Sequence, residues 1–357
     1  MNKKYSELAE LFRSEKTDEE ILDFLLNYHK NDIADMMAGM TEEERKRLYH
    51  LLGAQKVAEI FKYIEEPRKY IRELSVESAA RVISEMDSDD AVDLLEDLDP
   101  EEKEQIVRML DEDAKKDVKM LLSYDEEEIG SCMTTNYICI PEDLTIKQAM
   151  SELVKQAGEN DNIMTIYVVD EKGVFAGAID LKDLIRAREN THLEDLVLKS
   201  YPYVTDHEKI DDCMDRILDY AEDSIPVLSE DKKILGVITS EDLIEMVDNE
   251  MGEDYAKLAG LTAEEDLKEP TLQSMKKRLP WLIILLFLGM AVSSVVGLFE
   301  NVVAVLPIVI CFQSLVLDMA GNVGTQSLAV TIRVLMDENL TGKQKFQLVV
   351  KEVKTGS

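Results

Sequence analysis

Cysteine and histidine are scarce in this chain, with four of each among 357 residues. Cys132, Cys139, Cys213 and Cys311 form no C-x-x-C pair and have no ligand-spaced histidine partner. That excludes a zinc site or a disulfide frame and leaves free thiols of a reducing compartment. His29, His50, His192 and His207 are isolated, and no G-x-S-x-G or Walker pattern occurs, so the sequence offers no recognisable enzyme chemistry. Basic residues are also in deficit: 40 Lys and Arg stand against 74 Asp and Glu, a formal net charge of -34. That sign excludes nucleic acid and an anionic bilayer face as electrostatic partners and favours cations. The N-terminal residues lead directly into an amphipathic pattern without a signal-peptide core, so the acidic part is expected in the cytoplasm.

One region cannot be held by water. Residues 281–298 contain no charged side chain, and at about 1.5 Å rise per residue they cover roughly the hydrocarbon thickness of a bilayer. A second apolar run begins at Val302 and carries Pro307, Gln313, Ser314 and Asp318 before Gly321-Asn322-Val323-Gly324-Thr325-Gln326-Ser327. Two glycines and polar amides at that place predict a broken membrane helix, whose freed carbonyls must face protein or water. Asp318, Asn322, Gly324 and Gln326 are therefore candidate pore-lining residues; for Asp318 a place facing protein beside the break is an equally open reading. Basic residues flank both ends of this hairpin, Lys276-Lys277-Arg278 before it and Arg333, Lys343, Lys345, Lys351 and Lys354 after it, which puts both ends on the cytoplasmic side.

Upstream, the pattern is that of short consecutive helices. Thr17-Asp18-Glu19-Glu20 and Thr41-Glu42-Glu43-Glu44 fit capping boxes, and Asp99-Pro100 joins a cap to a first-turn proline. Apolar positions at helical spacing, as in Ala79, Ala80, Val82 and Ile83, predict a small helical superhelix. From residue 131 the period changes. Strands are expected at 137–140, 163–169 and 175–179, with helices at 145–156 and 180–188. The same order recurs with strands at 203–204, 224–228 and 234–238 and helices at 210–220 and from 240 onward. The duplicated pattern, with Ile166-Tyr167-Val168-Val169-Asp170 and Ile225-Pro226-Val227-Leu228 as its anchors, resembles a tandem of cystathionine-β-synthase-type (CBS) domains, which are regulatory modules. The last helix runs on through Asp242, Glu245, Asp248, Glu250, Glu253 and Asp254, an acidic stripe that needs compensation unless it is simply a solvated face.

The order of these modules, with Arg278-Leu279-Pro280-Trp281-Leu282, Pro307 and the Gly-Asn-x-Gly-Thr-Gln-Ser stretch, resembles the MgtE family of magnesium channels. The fold expected is multidomain: an all-α helical N domain (1–128), an α/β CBS pair (129–195 and 196–248), a long connecting plug helix (249–275) and a transmembrane region holding two helices (276–357). The resemblance implies a multi-pass homodimer in the cell membrane that admits Mg2+ and is gated by Mg2+ bound to its cytoplasmic carboxylates. Carried onto this sequence, the metal positions are Asp89, Asp93, Asp211, Asp242, Glu245, Glu250, Glu253 and Asp254. Ala221 departs from an acidic family position, with Glu222 and Asp223 beside it. Family members carry five membrane helices, so the remaining ones are expected from further sequence or a partner chain. The competing reading is a membrane-anchored CBS sensor of adenine nucleotide (ATP) that regulates a partner membrane protein. It rests on Thr239 and Asp242, which match a ribose-holding Thr/Ser-x-x-Asp.

Overall fold

A computed structural model of the protein describes residues 17–64, 66–158, 160–188, 190–258, 271–299, 307–335 and 341–356. The chain divides into two compact units, Met1–Leu243 and Ile244–Ser357.

The first unit opens with α1 (Asp18–Leu25), α2 (Lys30–Met37), α3 (Glu42–Phe61), α4 (Pro67–Ile71), α5 (Val76–Ser84), α6 (Ser88–Glu96), α7 (Pro100–Met109) and α8 (Glu112–Leu121). The expected capping boxes start α1 and α3: the Thr17 and Thr41 hydroxyls accept from Glu20 and Glu44 N–H, and the glutamates accept in return from the threonine N–H groups. Asp99 does not cap α7 with its side chain. Instead its carboxylate accepts from Arg68 at 3.0 Å and from Arg72, because guanidinium forks on the neighbouring helix compete better for a charged oxygen than a backbone amide does. Helix α3 bends at Gly53, whose φ of 76° and ψ of 170° are left-handed and cheap only for glycine. Packing runs α3 on α5, α5 on α7 and α6 on α8, the next-but-one pattern of a superhelix. Ala79, Ala80, Val82, Ile83, Leu94 and Leu95 fill its core as their spacing predicts. Arg45 is a buried charged group there, and it donates to Glu73 and to the Met37 and Met40 carbonyls.

Two three-stranded sheets follow, built alike. In the first, β1 (Ile138–Pro141) lies parallel to β2 (Thr165–Val169), which pairs antiparallel with β3 (Phe175–Asp180); α9 (Ile146–Gln156) and α10 (Leu181–Arg186) complete the repeat. In the second, β4 (Val204–Thr205), β5 (Ser224–Leu228) and β6 (Ile234–Thr239) repeat the topology with α11 (Ile210–Tyr220) and the start of α12 (Ser240–Leu258). Even the irregularities correspond, since the ladder shifts register at Val168/Val169 and again at Val227/Leu228. Gly177 and Gly236 occupy equivalent places in β3 and β6. A Cβ on Gly177 would stand 2.6 Å from the Leu198 carbonyl, and one on Gly236 would stand 2.7 Å from that of Thr134. Each glycine thus admits a passing segment as an edge partner, through the Ala178–Leu198 and Thr134–Val237 bridges. The Tyr167 and Ser224 hydroxyls, 2.6 Å apart, join the repeats at their centre. Ala221 closes α11 in the left-handed region at φ 51°, so the family's acidic position is a helix-ending turn in this chain.

The second unit continues α12 and holds α13 (Thr271–Leu298), α14 (Pro307–Leu335) and α15 (Gly342–Gly356). Helix α12 runs unbroken from Ser240 to Leu258, as the pattern from 240 onward predicts; beyond Leu258 the expected plug segment to residue 270 lies outside the described residues. Among the described residues one helix, Ser274–Leu298, is long and apolar enough to cross a membrane. Phe287, Leu288 and Leu298 on it are exposed, an apolar surface that water does not tolerate at this extent. The expected break at 321–324 is absent, and α14 is one continuous helix of 29 residues. Two glycines cost a helix about 1 kcal/mol each, which the backbone hydrogen bonds of the turns around them outweigh. Thr325 reinforces the turn by donating its hydroxyl to the Gly321 carbonyl at 3.1 Å.

Candidate functional site

The carboxylates that the sequence singles out are gathered by two helix starts and a strap. Helix α6 begins with Asp87 at its N-cap and Asp89 and Asp90 in its first turn, with Asp93 one turn on. Acidic residues there meet the positive end of the helix dipole, which explains their presence locally. Helix α12 starts from a reciprocal cap: Asp242 Oδ2 accepts from Thr239 N–H at 2.7 Å, and Thr239 Oγ1 accepts from Asp242 N–H at 3.4 Å. The strap is the segment between α8 and β1. Thr134 is paired with Val237 of β6, Thr135 N–H donates to Ser88 Oγ at 2.9 Å, and Asn136 Nδ2 donates to Asp87 Oδ1 at 2.8 Å. By tying the start of α6 to the end of β6, it carries Asp89 to Asp242.

The result is a partly buried crowd of negative groups. Asp89 is held well above the usual carboxylate range by burial and then by Asp242, Asp90 and Asp87. Its Oδ1 is buried without a hydrogen-bond partner. Burial also lifts Asp90 to about 7, against the opposing charge of Lys62 and with the help of Asp87, Asp93 and Asp242. Asp242 is raised by burial although its bonds to Thr239 pull the other way. The Cys132 thiol beside Asp93, Asp242 and Asp89 is pushed up to about 11, chiefly by burial, so it stays protonated and takes no part as a thiolate. Two carboxylates about 5 Å apart repel by about 3 kcal/mol at an effective dielectric of 20. A buried carboxylate oxygen with no protein donor can be satisfied by a proton, a water or a cation.

The arrangement suits a hydrated ion better than a bare one. Among the described residues no group of three or more His, Cys, Asp or Glu side chains is set to hold a metal directly. Magnesium keeps several of its waters and needs only one or two carboxylates in direct contact, so Asp89, Asp93 and Asp242 are a chemically fitting set.

Of the remaining predicted positions, Asp211 lies in the first turn of α11 with Lys209 as a charged neighbour, and it does not join this cluster. Glu245 is exposed on α12, one turn beyond Asp242. Glu250, Glu253 and Asp254 have side chains outside the described residues. Asp318, Asn322 and Gln326 recur four residues apart along α14 and so form one polar stripe, with Gly324 in the same stretch. The sequence reading missed Asp90 as a participant, and it missed Lys62, whose ammonium lies 3.3 Å from Glu241, 3.5 Å from Asp87 and 3.9 Å from Asp90. Nothing local marks Lys62, because its partners come from distant segments. A separate cleft of about 800 Å3 is lined by Lys199, Tyr201, Tyr203, His207, Arg216 and Tyr220 among others, but not by Thr239 or Asp242.

Residues 28–127 match the MgtE intracellular N domain family, and residues 127–190 and 193–249 match the CBS domain family. The magnesium transporter MgtE of Enterococcus faecalis is 38% identical over 360 residues, covering 100% of this chain and 79% of that protein. The Bacillus subtilis magnesium transporter MgtE is 32% identical over 236 residues, 65% of this chain and 52% of its own length. Among solved structures, the soluble part of a magnesium transporter superposes with a TM-score of 0.66 at 29% identity, covering 69% of this chain and 98% of the other. The cytosolic domain of the Mg2+ channel MgtE in complex with ATP gives 0.61 at 26% identity, with 68% and 99% covered. The helical domain, the CBS pair and the full-length similarity together establish that the chain belongs to the MgtE family of magnesium transporters.

Proposed function

We propose that this protein works as a homodimeric, multi-pass Mg2+ channel of the cell membrane whose cytoplasmic N-terminal part senses magnesium through the Asp89, Asp93 and Asp242 cluster. The observation that carries the reading is the buried, unpartnered Asp89 oxygen among carboxylates contributed by α6 and α12. Bound magnesium would supply two positive charges there. The chain's own residues do the rest: Asp89, Asp90 and Asp93 on α6 and Asp242 on α12 repel each other when uncompensated, and the repulsion separates the helical domain from the CBS pair. Helix α12 begins at the sensor with Glu245, Glu250, Glu253 and Asp254 along it, so a change at its first turn would be passed along this helix. There α13 and α14 supply the two spans, with Asp318, Asn322, Gly324 and Gln326 toward the ion path. Asp211 would serve a second regulatory contact.

Limited proteolysis of the purified chain in detergent tests this. Protection of the strap at residues 131–136 by millimolar Mg2+ is expected, and an identical cleavage pattern with EDTA would contradict it.

A second reading keeps adenine nucleotide as ligand, since a relative's cytosolic domain carries ATP. Here Thr239 and Asp242 are engaged with each other as a helix cap, and a ribose would have to use their remaining lone pairs. Separate titrations with ATP and with Mg2+ distinguish the two ligands.

A further inference from the structure

The carboxylate crowd already contains one cation. Lys62 is the C-cap residue of α3, where the negative end of the helix dipole favours a positive group. Its ammonium reaches Asp87 at 3.5 Å and Asp90 at 3.9 Å on α6, and Glu241 at 3.3 Å in the first turn of α12. Asp87, Asp90 and Glu241 thus come from both sides of the joint between the helical domain and the second CBS repeat, and all belong to the first compact unit. The Lys62 side chain keeps 30% of its surface exposed. Burial works against its charge, but Asp90, Asp87 and Glu241 outweigh that and keep the ammonium firmly protonated. A lysine fits this duty because it is a compact point charge on a flexible stem, able to face several oxygens at once.

We propose that Lys62 is a resident counter-ion of the magnesium sensor: it holds the joint between α6 and α12 part-closed without metal, so that magnesium completes the closure instead of initiating it. The inference rests on the magnesium-sensing reading above and names the residue that sets its metal-free state. Lys62 neutralises the Asp87, Asp90 and Glu241 side of the cluster, and the Asp89 oxygen remains without a partner. The chain's own ammonium thus compensates Asp87, Asp90 and Glu241 directly, and the Asp89 oxygen is the point left to a dissolved ion.

The test is amide hydrogen exchange on the full chain in detergent, comparing wild type with Lys62→Met and Lys62→Arg, in EDTA and in millimolar Mg2+. In EDTA, Lys62→Met is expected to exchange about fivefold faster at the start of α6 and at residues 234–243, and Lys62→Arg to stay near wild type, as loss of a partly exposed charge network implies. Saturating Mg2+ returns Lys62→Met to the wild-type rate, a rescue that a merely structural role would not give. Unchanged exchange of Lys62→Met in EDTA overturns the proposal, and so does a failure of Mg2+ to restore it where wild type responds. Wild-type exchange indifferent to Mg2+ overturns the sensing reading alone, while the EDTA comparison still decides whether Lys62 holds the joint.

Discussion

Replacing Asp89 by asparagine keeps the shape of the side chain and removes its charge, which separates the cost of the buried carboxylate from its packing. In the metal-free protein Asp89 is repelled by Asp242, Asp90 and Asp87, and its Oδ1 finds no donor. Removing a charge so placed is worth about 1–3 kcal/mol, the usual penalty for a buried group left unpaired. Asp89→Asn should therefore raise the stability of the first unit in EDTA by that amount, which is unusual for a buried substitution. Magnesium adds RT ln(1 + [Mg2+]/Kd) to wild type, about 2.7 kcal/mol at a hundred times Kd, and this increment should shrink in the variant. Urea unfolding followed by circular dichroism, with and without Mg2+, reads both quantities. A variant less stable than wild type in EDTA that keeps the full magnesium increment would refute the reasoning, because Asp89 would then be a well-accommodated structural group.

The pH dependence has a definite sign. Asp90 titrates at about 7 in the folded chain against an ordinary 3.8, so the folded state holds a proton that the unfolded state has released, and stability falls as pH rises between those values. The full difference corresponds to about 4 kcal/mol at most. Thermal unfolding in EDTA should thus give a higher midpoint near pH 5 than near pH 8, with Mg2+ flattening the decline; a midpoint that rises over this range would contradict it. Arg45→Met removes the buried guanidinium that Glu73 and the Met37 and Met40 carbonyls share. It should destabilise the helical domain by about 3 kcal/mol, read by urea unfolding, because Glu73 loses its charge partner and keeps only the Tyr49 hydroxyl as a donor. Thr239→Val deletes one half of the α12 cap and should cost about 1 kcal/mol of thermal stability. Calorimetric titration of the same variant with ATP separates the ligands, since the nucleotide reading requires lost ATP binding and the magnesium reading does not.

How far the sequence carries depends on the range of the interaction. The Thr17 and Thr41 caps each depend on a partner three residues away, and both form as the sequence implies. The strands at 224–228 and the helix at 210–220 have the bounds that the alternation and spacing predict. Asp99 failed as a side-chain cap because Arg68 and Arg72 arrive from another helix, which no local pattern reveals. Lys62 was invisible for the same reason, being an ordinary helix-end lysine until α6 and α12 are brought to it. The unbroken α14 teaches something different. Gly321, Asn322 and Gly324 read as a break, yet α14 passes through them as one helix, with the Thr325 hydroxyl donating to the Gly321 carbonyl, and Asn322 falls on a polar stripe with Asp318 and Gln326. Asp89 and Asp242 were legible as charges, whereas the strap that brings them together, Thr134 to Asn136, was not.

The most direct measurement is hydrogen exchange at the start of α6 and of α12 in the full chain, titrated with Mg2+, for wild type and for a variant carrying Asp89→Asn, Asp93→Asn and Asp242→Asn together. Mutual repulsion of these carboxylates as the opening force predicts slower exchange with rising Mg2+ in wild type, and slow, metal-indifferent exchange in the variant. A variant that still tightens over the same Mg2+ range would contradict it.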